Sequence, residues 1–217
     1  MEMRLLQNKK HVFWEAFVLT IFIFLIGFLF GTYIEGKNFN KLNDYSTTSE
    51  INLIDGVTLT DLSKTVNISC SFLKEKNIEF ADKIYNEAKL LEQYEESGKL
   101  TDSMKILHKK YDLLRTLAWM GNSNTMSKCH NYSLIIYLYE YETQDLNIKA
   151  TQSVWSRKLT DIKEQSSDMI LLPIAVDEDI SSLDIILNQY NVTQYPALIV
   201  NDKYVVYDID NFSLDSY

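Results

Sequence analysis

Proline occurs only twice in 217 residues, cysteine twice and glycine six times, and the chain has no low-complexity run and no internal repeat. Repeat arrays and long flexible linkers are therefore excluded as its main architecture. Two cysteines and three scattered histidines (His11, His108, His130) give no metal-ligand spacing, so neither a metal nor a cofactor is read from the sequence. An excess of basic residues is missing too. Twenty-one Lys and Arg stand against 30 Asp and Glu, a net charge of −9 and a pI of about 4.9, which leaves no electrostatic footprint for nucleic acid or an anionic lipid surface. The length accommodates one globular domain of ordinary size plus accessory segments, and not two full domains.

What is present begins with one long apolar run. Ala16 to Ile34 is 19 residues without a charge, which at about 1.5 Å per residue matches the roughly 30 Å hydrocarbon layer. Trp14 and Tyr33 sit where interfacial aromatic rings are expected. The apolar core exceeds that of a secretory signal and no small-residue cleavage site follows, so an uncleaved anchor is favoured over a cleaved leader. Arg4, Lys9 and Lys10 precede the run, while Lys37 and Lys41 follow it among Glu35, Asp44 and Glu50. This slight bias favours a cytoplasmic N-terminus. The expected organisation is a cytoplasmic tail over 1–11, a transmembrane helix over 12–34, a linker over 35–57, a helical hairpin over 58–129 and a sheet domain over 130–217.

Residues 35–57 mix Asn, Ser, Thr and acids with little periodicity, which reads as a juxtamembrane linker. Thr58 to Asp61 fits a capping box, and apolar residues at 62, 66, 70, 73, 80, 84, 91 and 94 predict one long amphipathic helix. Ser97-Gly98-Lys99 breaks it, and Thr101 caps a second helix running to about Met120. That helix carries two apolar stripes. Met104, Leu107, Tyr111, Leu114 and Ala118 form one, and Ile106, Leu113, Leu117 and Met120 form the other. The reading is an antiparallel hairpin, one stripe on the first helix and the other on the domain that follows. An intermolecular coiled coil is the alternative.

Cys70 lies 29 residues before Lys99 and Cys129 lies 30 residues after it. Folding the helices back at that turn brings the thiols level, so a structural disulfide is expected if the C-terminal side is oxidising. Two free thiols, or a reactive pair used in exchange, remain alternatives.

Past Cys129 the period changes. Ser133 to Tyr141 reads as a central strand, Ile148, Trp155, Leu159 and Ile162 mark a helix, and Met169 to Val176 a second strand. A helix around 181–190 follows, then strands at 197–200 and 203–207 joined at Asn201-Asp202. The order is βαβαββ. Pro173 fits if the second strand is an edge strand, where a missing backbone donor is tolerated.

Tyr190-Asn-Val-Thr-Gln-Tyr-Pro196-Ala-Leu-Ile-Val resembles the helix-end, loop, cis-proline and strand segment of the thioredoxin superfamily, and Ile174-Ala-Val-Asp177 resembles the strand before it. The whole chain is similar to small archaeal-type proteins with an N-terminal anchor, a cysteine-flanked helical hairpin and a C-terminal thioredoxin-like domain. The likeness covers 134–205. It implies an α/β fold with Pro196 in the cis state and with Tyr195 presenting backbone groups to an extended peptide. The chain departs from the family where two cysteines three apart would begin the first helix of the domain, because Thr143 and Leu146 stand there. Neither side chain can form the thiolate that attacks a disulfide. Thr143 has no evident base to activate it, and a helix N-cap is its bland reading.

Asp177-Glu178-Asp179 is a weak cation candidate, more ordinarily a solvated loop before a helix. Asn67, Asn131, Asn191 and Asn211 are N-glycosylation sequons, which need an outside location. The sequence therefore predicts a single-pass cell-membrane protein, N-terminus cytoplasmic and domain outside. It would be redox-inactive and would bind a protein or extended peptide through Tyr195, Pro196, Thr143 and Leu146. The alternatives are a thiol–disulfide oxidoreductase using Cys70 and Cys129, and an assembly module acting through the hairpin.

Overall fold

A computed structural model describes residues 9–65, 68–96, 102–127, 129 and 132–216. The predicted turn at 97–99, its cap Thr101, Val66, the sequons Asn67 and Asn131, His130 and Arg4 lie outside the described residues. The elements in chain order are helices α1 (Lys9–Thr65), α2 (Cys70–Glu96) and α3 (Asp102–Met126), strand β1 (Ser133–Tyr139), helix α4 (Leu146–Gln165) and strand β2 (Met169–Ala175). Helix α5 (Ser181–Tyr190), strands β3 (Ala197–Val200) and β4 (Tyr204–Val206) and a short 3-10 turn (Leu214–Ser216) complete the chain. Two compact units divide it, Met1–Thr48 and Ser49–Tyr217. In the first, Val12–Gly31 is helical, long and apolar enough to cross a membrane, and none of it is buried against protein. A signal sequence meets the same criterion.

Residues 35–57, predicted as a linker, fall inside α1, and Thr58 does not begin a helix but donates its hydroxyl to the Ile54 carbonyl at 2.8 Å, as mid-helix threonines do. From Ser49 onward the small residues of this segment are its packing surface. Ser49, Asn52 and Gly56 are buried. Asn52 donates to Glu87 Oε2 at 2.7 Å. A Cβ on Gly56 would come within 2.6 Å of Phe80 Cζ, and one on Gly121 within 2.8 Å of Thr60 Oγ1. These glycines let helices approach closer than any side chain would allow.

The single long helix expected from residue 58 is two helices. α1 ends at Thr65 and α2 starts at Cys70, where the Phe72 N–H meets Ser69 Oγ at 3.4 Å. α2 and α3 form the predicted antiparallel pair. Leu73, Phe80 and Ile84 of α2 and Met104, Leu107, Tyr111, Leu114 and Ala118 of α3 are buried. Asn77 donates to Thr125 Oγ1 at 3.1 Å within that seam. α3 runs on to Met126 rather than 120, and its second stripe does not pack as predicted. Ile106 and Met120 are exposed, while Leu117 lies against Gly56 of α1. Cys70 and Cys129 are joined in a disulfide, Cα atoms 5.5 Å apart, closing a separation of 59 residues.

The sheet has four strands in the order β2-β1-β3-β4. β2 is parallel to β1, β3 antiparallel to β1, and β4 antiparallel to β3. Pro173 thus sits on an edge strand, opposite Tyr137. Strand residues alternate between two buried faces, as a sheet covered on both sides requires. Ile135, Tyr137, Leu171 and Leu198 pack with Trp155 and Leu159 of α4, while Leu134, Ile136 and Leu138 line the opposite face at 0% exposure. Asn201 and Asp202 both take positive φ, 52° and 58°, the geometry of a two-residue turn whose twist matches its strands. β1 stops at Tyr139, two residues before the predicted end.

Candidate functional site

The residues singled out in the sequence converge on the C-terminal end of β1. There the chain leaves the sheet at Glu140, whose backbone is clamped by one side chain. The Glu140 N–H donates to Gln152 Oε1 at 2.7 Å, and Gln152 Nε2 donates to the Glu140 carbonyl at 2.9 Å. Asp177 gathers the next two amides, accepting from Tyr141 N at 2.8 Å and Glu142 N at 2.7 Å. This is the occupation of Asp177, in place of a cation or of solvent alone. Among the described residues no group of three or more His, Cys, Asp or Glu is placed to hold a metal ion.

Thr143 and Leu146 follow in this loop. The predicted N-cap, Thr143, is displaced by Asp145, whose carboxylate accepts from Asn147 N at 2.8 Å; Thr143 Oγ1 accepts from Asp145 N at 3.4 Å. An Asp two residues before the first free amide satisfies it better than a Thr four residues before, which explains the difference. Leu146 is 78% exposed. Tyr195 and Pro196 lie at the same end, because Leu138 pairs with Ala197. The Tyr195–Pro196 bond is cis. Tyr195 is half-buried, and burial pushes its hydroxyl pKa up, with Tyr207, Glu140 and Asp184 adding to the shift. The fold thus brings 143, 146, 195 and 196 to one sheet end.

The cysteines lie at the other end. Cys129 precedes Ser133, where β1 begins, so seven strand residues, about 20 Å, separate the disulfide from the Thr143 loop. Of the sequons, Asn191 is exposed with φ 50°, and Asn211, also exposed, donates to Asp208 Oδ2 at 2.7 Å.

Sequence reasoning missed a cleft beside the loop that begins at Glu140. A cleft of about 750 Å³ opens between the α2–α3 pair and α4, over the β2 edge. Its floor is Tyr137, Tyr139, Leu171 and Pro173, with the Tyr137 and Tyr139 rings stacked at 5.5 Å. At one wall α3 presents His108 and Arg115, with Asp112 on the same helix, all three buried. The His108 ring stacks on Tyr141 at 3.7 Å, its Nε2 is 3.2 Å from the Tyr139 hydroxyl, and its Nδ1 is 3.0 Å from Asp112 Oδ2 without hydrogen-bond alignment. Asp112 Oδ1 accepts from Arg115 Nη1 at 2.9 Å and from Ala175 N at 3.3 Å. Burial, the largest influence on Arg115, opposes its charge, but Asp112 and Tyr139 outweigh it and raise its pKa. The signal was available. Residues 108, 112 and 115 are spaced i, i+4, i+7, in register with buried Tyr111 and Leu114, so three polar residues share the apolar stripe. A search for apolar spacing alone passes over them.

No protein-family model, curated protein or solved structure matches the chain.

Proposed function

We propose that this is a membrane-anchored binding protein whose residues 130–217 form a redox-inactive thioredoxin-like domain outside the cytoplasm. The observation that carries the reading is the placement of the thiols. Both cysteines are consumed in one disulfide at the N-terminal end of β1, and the loop at its C-terminal end, the place where the thioredoxin fold activates a thiolate, holds Thr143 and Leu146 instead. The strand order β2-β1-β3-β4 with an antiparallel third strand supports the fold assignment, as does Pro196 preceding β3. The apolar helix at Val12–Gly31 supports anchorage, and a disulfide closing a long loop supports an oxidising side for the domain. Binding would then use strand addition beside Tyr195 and Pro196, where backbone groups and one aromatic ring meet an extended peptide.

The test uses the full chain in detergent micelles. Insulin should not be reduced, while an unfolded, carboxymethylated polypeptide should bind and lose that binding on Tyr195→Asp with the circular dichroism spectrum unchanged. Insulin turnover abolished by Cys70→Ser would replace this reading with an oxidoreductase. Unaltered polypeptide binding in a folded Tyr195→Asp variant would remove the groove.

A further inference from the structure

The cleft between the helical pair and α4 includes none of Thr143, Leu146, Tyr195 and Pro196 in its lining. We propose that it binds a small planar aromatic anion. Its volume of about 750 Å³ lies within the range of small-molecule sites. Tyrosine rings supply the apolar part. Tyr137 and Tyr139 form the floor, and Tyr85 and Tyr111 face it from α2 and α3. Flat aromatic surfaces of this kind favour a flat ligand through offset or edge-on stacking.

Charge decides the sign of the ligand. Lys149 and Arg157 line the cleft from α4, and Lys89 lines it from α2. None of the three has an ion-pair partner among the described residues. Glu140 is the carboxylate lining the cleft beside the Asp112-paired Arg115, so three unpaired cations face one acid. The chain as a whole carries −9, and acids for pairing are plentiful. Between the same two helices, beyond Thr160, Lys163 does pair with Asp82 at 2.8 Å. One end of the α2–α4 gap is therefore bridged by opposite charges, and the remainder presents like charges to each other across open space. Three unpaired cations lining one concavity make its potential positive, which favours an anion there. Arg115, 6% exposed, adds a buried guanidinium at the wall whose Nε–H has no hydrogen-bond partner.

The probes are 2-naphthoate and its neutral counterpart 2-naphthamide, titrated by calorimetry into the full chain in detergent micelles, with empty micelles as the blank. Naphthoate should bind saturably and more tightly than the amide. Lys149→Glu/Arg157→Glu, which changes two exposed side chains and should leave the circular dichroism spectrum intact, should weaken naphthoate at least tenfold, about the loss expected from removing one charge-assisted contact, while leaving the amide unaffected. The milder Lys149→Gln/Arg157→Gln should give an intermediate loss. Absence of saturable binding by naphthoate, equal affinity for the two probes, or naphthoate binding unchanged in the folded charge-reversal variant would each overturn the proposal.

Discussion

The two ends of β1 are held by different chemistry. At the N-terminal end a covalent bond is joined by hydrogen bonds to backbone and to one carboxylate. The disulfide ties α2 to the segment entering the strand. Asn201 exchanges two bonds with Leu134, its amide donating at 2.8 Å and its side-chain oxygen accepting at 2.9 Å, and Trp119 Nε1 donates to Asp202 at 2.7 Å. At the C-terminal end the ties are carboxylates, amides and rings. Gln152 and Asp177 hold the loop, His108 stacks on Tyr141, and Lys105 pairs with Glu142. One end thus has a covalent tie, and the other is held by side-chain hydrogen bonds, a ring stack and an ion pair. The concavity and the predicted peptide-facing residues are both at the second.

Breaking the covalent end should have the largest effect. Replacing Cys70 and Cys129 with Ala opens a loop of about 60 residues and should cost about 4 kcal/mol in the chain-entropy model, lowering the melting temperature by on the order of 10 °C. Thermal unfolding of the full chain in detergent reads this. A shift of a degree or two would mean that the hydrogen bonds of Asn201 and Trp119 already hold that end.

Next comes the buried charge pair. Asp112→Ala strands Arg115 without its carboxylate and should cost about 3 kcal/mol, most of it recovered by adding Arg115→Met, since it is the uncompensated charge rather than the lost contact that destabilises. Equal stability of the single and double variants would show that Arg115 finds another partner.

The smallest effect is a pH dependence beside His108. Burial, with Asp112 and Asp177 adding and His108 opposing, holds the Glu178 pKa above its ordinary 4.5. The folded state therefore binds that proton more tightly than the unfolded state, so this contribution is complete at low pH and is lost as pH rises through the raised value. Glu178→Gln should flatten that fall and leave the protein slightly more stable at pH 7, by less than about 1 kcal/mol because the group is partly solvated. An unchanged pH profile of unfolding would remove Glu178 from the account.

The sheet was legible in the sequence because its signals are short and local. β-branched runs mark the strands, Pro173 marks an edge, and Asn201-Asp202 marks the turn. The cysteine pair was legible by counting outward from the turn. The helices were harder. Residues 49–60 pack through Ser49, Asn52 and Gly56, a small and polar face that a search for apolar spacing passes over. The break before Cys70 was hidden by arithmetic: four residues separate α1 from α2, about one helical turn, so the apolar pattern continues in phase across it. The cleft was invisible for a different reason. Its walls come from α2, α3, α4 and the sheet, and only the fold makes Lys89, Lys149 and Arg157 neighbours.

The disulfide also changes what a protease can accomplish. Cys70 and Cys129 close a covalent ring, and the chain passes into that ring from the N-terminal helix and out of it into β1. Cutting any one peptide bond between residues 71 and 128 linearises the ring without severing anything: the apolar N-terminal helix and the sheet remain one molecule through sulfur. Such a nicked protein keeps its full mass on a non-reducing gel and separates into two pieces only when reduced. Shedding of the sheet from the N-terminal helix by a single cleavage must therefore occur outside the ring, before Cys70 or between Cys129 and the start of β1.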